Sequence, residues 1–132
     1  MMTRSATRRV AAVISGAAAT VILMVSSALA HHGWNWTQDE QTEMRGTITD
    51  IYIGPPHPRM RVETADGEWT VDLGNPTQTR DAGFVEGEAA VGDEVLIRGH
   101  RSADDSERVI KAVRATIQDR QYDFYPDLIQ ES

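Results

Sequence analysis

Residues 59–83 read RMRVETADGEWTVDLGNPTQTRDAG, and the strand and helix signals of the chain meet there. Met60, Val62 and Thr64 alternate with charged neighbours, and Trp69, Val71 and Leu73 alternate in the same way, so each segment predicts a strand with one buried face. Asp66-Gly67 between them supplies the positive-φ turn that folds two such strands into a hairpin. Asn75 before Pro76 is an N-cap followed by a first-turn proline, and Gln78 stands at the capping-box position. Gly83 can close the helix in a left-handed conformation, so one short helix is expected over about Pro76 to Ala82.

Working outward, Met44 to Ile53 (MRGTITDIYI) is rich in β-branched residues, and Gly46 inside it predicts a bulge or sharp bend. The segment GPPHP, 54–58, ends that strand because its prolines cannot donate to a ladder. Beyond the helix, EVLIRGH (94–100) places Val95 and Ile97 on one face. A polar turn, SADDSE, separates it from a last strand over Val109 to Ile117. Three strands, a helix, then two strands is the order of a five-stranded Greek-key OB barrel: all-β with one short helix, filled by side chains. A five-stranded sandwich and an SH3-like barrel are the competing architectures. Residues 31–43 read as an N-terminal arm, 44–118 as the barrel, and 119–132 as a partly packed tail holding Tyr122, Phe124 and Tyr125.

The first thirty residues are of another kind. Arg4, Arg8 and Arg9 precede an apolar run from Val10 to Val25, and Ala28-Leu29-Ala30 has the A-x-A form of a signal-peptidase site, so 1–30 is expected to be an export signal cleaved after Ala30. A retained membrane anchor is the alternative, but Ser15, Gly16, Ser26 and Ser27 dilute the run. Arg8-Arg9 also sketches a twin-arginine signal, with Ala11 and Ala12 where stronger hydrophobics are usual. No cysteine follows, which excludes a lipid-modified terminus, and the absence of Cys throughout excludes disulfides and thiolate metal sites.

Of the 13 basic side chains three lie in the leader, leaving 10 against 20 acidic ones, a net charge of −10 for the exported form. Such a balance concentrates cations and argues against a nucleic-acid partner, which needs a basic surface. The expected product is a monomeric periplasmic or secreted domain, with no membrane attachment once the leader is removed.

The elements AHHGW (30–34), GTITDI (46–51), GPPHP (54–58), GEWTV (67–71) and GDEVLIRGHR (92–101) together resemble a family of small exported bacterial proteins of unknown function. Its pattern has a leader ending in A-H-H, an Asn-Pro-His-like turn and a G-D-x-V-x-[IVL]-x-G motif. The chain departs from it at PPH and in its long tail. The resemblance implies export, the fold, and His31, His32 and His57 as family features, and it supplies no mechanism. A looser likeness, without the same ligand spacing, is to the periplasmic copper and silver chaperones that are OB barrels.

All four histidines follow the cleavage site: His31, His32, His57 and His100. A freed His31 offers its amine and its ring to one metal ion. A second ring nitrogen completes a three-nitrogen set that suits Cu(II), which prefers tetragonal nitrogen ligation. The terminal amine, with an ordinary pKa of about 7.7 to 8.0, gives up its proton to a metal near neutral pH. His32 offers a second route through amine, backbone nitrogen and imidazole. Against this, histidines on a free terminus are often only solvated, His57 between prolines serves turn packing, and His100 reads as a strand-end surface residue.

For the third ligand the sequence leaves two choices. The first and fourth strands of an OB barrel pair antiparallel, which puts His100 near Met44 and His57 at the far end of the first strand. Reaching His57 along that strand takes about 30 Å of arm, within the roughly 43 Å that thirteen residues span; His100 needs much less.

Met44, Met60 and Trp69 read as core, and Trp34 and Trp36 as same-facing anchors of an extended arm. DDSE (104–107) lacks calcium-loop spacing. The usual catalytic motifs are absent; the one enzymatic reading is oxidative copper chemistry at an amino-terminal histidine, for whose broad flat substrate face a barrel this small offers little room. The expectation is a copper carrier or accessory protein without turnover. A module docking a periplasmic protein or a glycan is the rival.

Overall fold

The computed structural model describes residues 33–131. The expected export signal and its expected cleavage site, with His31 and His32, lie outside the described residues. Six strands, β1 (Thr42–Tyr52), β2 (Arg59–Thr64), β3 (Gly67–Asp72), β4 (Glu94–Arg101), β5 (Val109–Ile117) and β6 (Arg120–Asp123), form one sheet in the order β3-β2-β1-β4-β5-β6. A parallel β3–β5 pairing, Thr70 with Val109 to Asp72 with Lys111, closes the first five into an OB-like barrel.

β1 serves two partners. Thr42 to Thr47 pairs with β4 and Thr47 to Tyr52 with β2, and Gly46 sits at the changeover. A Cβ on Gly46 would strike the Glu63 backbone and the Val62 side chain, so glycine here permits close approach of β2. The bulge itself falls at Thr49, where the register shifts between Ile48 and Asp50. It moves the inward positions from Met44 and Ile48 to Ile51 and Ile53. A second register shift, opposite Arg98 and Gly99, leaves Val113 as the extra residue of β5. Ile110 and Ala112 point inward on one side of it, Ala115 and Ile117 on the other.

The hairpin and helix follow their sequence signals. Thr64 pairs with Gly67 across the turn. Helix α1 (Pro76–Asp81) has the complete capping box: Asn75 Oδ1 accepts from the Gln78 backbone N–H, and Gln78 Oε1 accepts from that of Asn75. Gly83 follows with φ of 86°. The core contains Ile48, Met60, Val62, Val71, Ile97 and Ile110, and Phe84 seals one end with its ring edge-to-face on Tyr122 and Phe124.

The tail is more ordered than the sequence reading has it. Gln118 and Asp119 both have positive φ, as a type I′ turn requires, and return the chain as β6 along β5. A 3-10 helix, Pro126–Leu128, follows. Tyr122 and Phe124 are buried, so these tail aromatics complete the core. Among the described residues no helix is long and apolar enough to cross a membrane.

Candidate functional site

The pairings of β5 with β4 and β3, and of β3 with β2, bring one row of outward-facing residues together. His100 on β4 is opposite Lys111 on β5, Lys111 is opposite Asp72 on β3, and Asp72 is opposite Arg59 on β2. His100 and Arg59 are thus three strand spacings apart, about 15 Å around the girth of the barrel. This changes the geometry expected from the sequence. The beginning of β2, just after His57, and the end of β4 share one rim, because the parallel closure provides a route across the barrel that a path along β1 does not show.

The arm and the tail cover this row. Gly33 to Trp36 make a turn, with the Thr37 N–H donating to the Trp34 carbonyl at 3.1 Å, so the two tryptophans do not share one face of an extended arm. Trp36 is buried. Its carbonyl accepts from the Ala103 N–H, and Thr37 bridges to Ser102. Trp34 instead lies over Lys111, whose Nζ is 4.3 Å from the centre of its ring and 5.6 Å from that of Tyr125. Trp34 meets Tyr125 edge-on at 4.9 Å and His100 at 5.2 Å. The Lys111 ammonium donates to the Gly33 carbonyl at 2.8 Å. Burial draws the Lys111 ammonium below the ordinary lysine pKa, and the nearby Asp72 carboxylate partly offsets that. Burial likewise raises the Tyr125 phenol, with Asp72 adding to the effect.

A cavity of about 470 Å³ opens beside this cluster, lined by Gly33, Trp34, His57, Asp72, Lys111 and Tyr125 among others. His57 is exposed on its wall, following the cis peptide between Pro55 and Pro56. The residue next to the paired histidines and the turn histidine therefore face one space.

His100 has a different environment. It is buried, contrary to the strand-end surface position expected, and both ring nitrogens are engaged. Nδ1–H donates to the Gln38 carbonyl at 2.8 Å, which leaves Nε2 to accept from the Gln41 side-chain amide at 3.1 Å. The Gln41 amide orientation is fixed by the Gln130 N–H, which donates to its Oε1. His100 thus ties the arm and tail to β4. Met44, Met60 and Trp69 are core residues, as expected. Among the described residues no three His, Cys, Asp or Glu side chains group as a metal-holding set.

Lys111 and Tyr125 are the site residues that sequence reasoning passed over. The signal for Lys111 was present: it is the one charge in the run Val109 to Val113, on a strand otherwise apolar over that stretch. Asp72, on the outward parity of β3, carried no such mark.

None of the curated proteins matches the chain in sequence. Among solved structures, the ZRD-deleted mutant of TiaS in complex with agmatine is 22% identical with a TM-score of 0.45, covering 59% of this chain and 21% of that one. A tRNA fluorescent labeling enzyme gives 21% identity and a TM-score of 0.45, with 59% and 18% covered. The chain thus spans about a fifth of those proteins, and the likeness carries no argument about ligands. The match to a family is of another order: over residues 18–111 the chain fits the model of a Family of unknown function (DUF6152), and it belongs to that family.

Proposed function

We propose that the exported chain, beginning at His31 after loss of residues 1–30, binds a transition metal ion, copper by the chemistry of its donors. In this reading it acts in the periplasm as a carrier or accessory protein without turnover. The His31 amine and ring and the His57 imidazole supply three nitrogens, with His32 adjacent.

One observation carries the reading: Gly33 is held by Lys111 on the wall of the cavity that His57 lines. His31 is two residues before Gly33 in the sequence, and two residues span at most about 7 Å, so we take the wall of that cavity to be within its reach. His100 drops out of the ligand set, because binding a metal there breaks its bonds to Gln38 or Gln41. The acidic balance of the chain favours cation capture.

The test is Cu(II) titration with electron paramagnetic resonance on protein expressed with its own leader and recovered from the periplasm. His57→Ala is expected to remove one nitrogen from the spectrum and weaken binding by about tenfold or more. His100→Ala is expected to leave the spectrum unchanged. A His57→Ala spectrum identical to that of the parent refutes the assignment.

A second reading, docking of a periplasmic protein or glycan, is favoured by the exposed Tyr52, which lines a shallow cavity with Ile51 and Ile53. Partner binding that survives replacement of His31 and His32 supports it.

A further inference from the structure

We infer, independently of the metal-binding reading, that the cavity beside β2, β3 and β5 is a binding site for a small organic anion, whose oxyanion group is held by Arg59 and Lys111.

The strand pairings set Arg59, Asp72 and Lys111 side by side on the outer surface, and all three line the cavity. Two cations thus flank one carboxylate, which offsets only one of them. The rest of the chain has the opposite balance, 20 acidic residues against 13 basic ones. A cationic wall on an acidic protein is a local departure from its overall field, and it draws anions to that place.

The two cations still have donors to give. Arg61, Arg98, Arg114 and Arg120 each reach a carboxylate. Arg59 is in no ion pair among the described residues. Its guanidinium lies over the Tyr52 ring, 4.9 Å from the centre, which leaves the edge of the planar fork for a carboxylate or phosphate. The Lys111 ammonium uses one of its three donors on the Gly33 carbonyl.

Asn75 and Gln78 extend the same wall. In the capping box each turns its amide oxygen to the backbone N–H of the other. A planar amide carries its nitrogen on the far side of the carbon, so both NH2 groups point away from the helix start, and both residues line the cavity. Donors therefore outnumber acceptors, and a carboxylate or phosphate ester supplies the acceptors. Trp34, Leu73 and Tyr125 add apolar wall, and the volume of about 470 Å³ lies in the small-molecule range, so the occupant has an organic body as well as a charge.

The experiment titrates chelator-treated protein, purified after expression of the full chain, with D-glucuronate, D-glucose 6-phosphate, inorganic phosphate and D-glucose. Calorimetry reads affinity, and tryptophan fluorescence reports on Trp34 at the cavity wall. At least one of the two anionic sugars is expected to bind, with inorganic phosphate and neutral glucose tenfold or more weaker, and the preferred sugar identifies the head group as carboxylate or phosphate. Arg59 is exposed, so Arg59→Met should keep the parental unfolding midpoint while weakening binding about tenfold or more. Asn75→Asp keeps the helix cap but replaces a donor with a negative charge, and is expected to weaken binding similarly. Arg61→Met, which removes a charge outside the cavity lining, is expected to leave affinity unchanged.

Failure of both anionic sugars to bind overturns the proposal, as does equal binding of glucose or of inorganic phosphate. Parental affinity in Arg59→Met, or an equal loss in Arg61→Met, overturns the assignment to this cavity. The titrations contain no copper, so these outcomes leave the metal reading to its own test.

Discussion

Gly99 allows the row at the barrel rim to form, and Gly99→Ala tests that directly. A Cβ at this position lies 2.9 Å from the Lys111 carbonyl carbon, 3.0 Å from the Ala112 Cα and closer still to the Lys111 carbonyl oxygen. All three are backbone atoms of β5, held by the pairings of Gly99 with Ala112 and His100 with Lys111. Neither a rotamer change nor a flexible side-chain end can relieve the overlap, so β4 and β5 must separate where the barrel carries Lys111. Overpacking in a close-packed region costs about 1–3 kcal/mol, and clashes against backbone on a central pairing belong to the upper part of that range, about 2–3 kcal/mol. For a domain of this size that lowers the melting temperature by about 10–20 °C. Urea unfolding followed by circular dichroism is expected to show a lower midpoint with an unchanged m-value. A midpoint within the equivalent of about 0.5 kcal/mol of the parent refutes the claimed close approach, and with it the placement of Lys111 opposite His100.

Three further outcomes follow from the same packing. Phe84→Ala removes a fully buried ring from its edge-to-face contacts with Tyr122 and Phe124 and is expected to cost about 3–5 kcal/mol by denaturant unfolding; a loss below about 1 kcal/mol contradicts its role at the barrel end. His100→Leu leaves the Gln38 carbonyl and Gln41 amide without their partner and is expected to cost about 1–3 kcal/mol while copper binding is unchanged; a variant of parental stability that has lost copper places His100 in the site. Burial, reinforced by the hydrogen bond to Glu88 at Tyr122 and by Asp72 at Tyr125, raises both phenols. Their contribution to stability is therefore complete below the ordinary tyrosine pKa of about 10 and is lost as pH rises through the higher native values. Ultraviolet titration should show both ionising later than free tyrosine, and ordinary ionisation of both contradicts their burial.

The parts of this fold that were legible in the sequence are those specified by neighbours. Asp66-Gly67 dictates the hairpin, Asn75, Pro76 and Gln78 dictate the helix start, and alternation at Val95 and Ile97 orients β4. What was not legible depends on contacts distant in sequence. The turn before β6 uses Gln118 and Asp119 at positive φ with no glycine to announce it, so β6 read as tail. The bulges at Thr49 and Val113 reverse the parity of the apolar positions, and neither is marked by a residue type. The site suffered most from this. Measured along β1, His57 and the arm are far apart, and only the pairing of Asp72 with Lys111 brings them to one cavity. The histidines themselves were plain in the sequence; the burial of Lys111 against Gly33 and Trp34 was not.

Whether the His31 amine and the His57 ring hold one metal ion, as proposed, is decided by comparing two periplasmic preparations that differ by a single alanine inserted before His31. Intact mass confirms each start, and calorimetry with paramagnetic resonance reads Cu(II) binding. The protein beginning at His31 is expected to bind more tightly, and the extended form to lose the chelate of amine and ring, with a changed spectrum. Equal affinities and superimposable spectra, or a mature mass that begins elsewhere, contradict it.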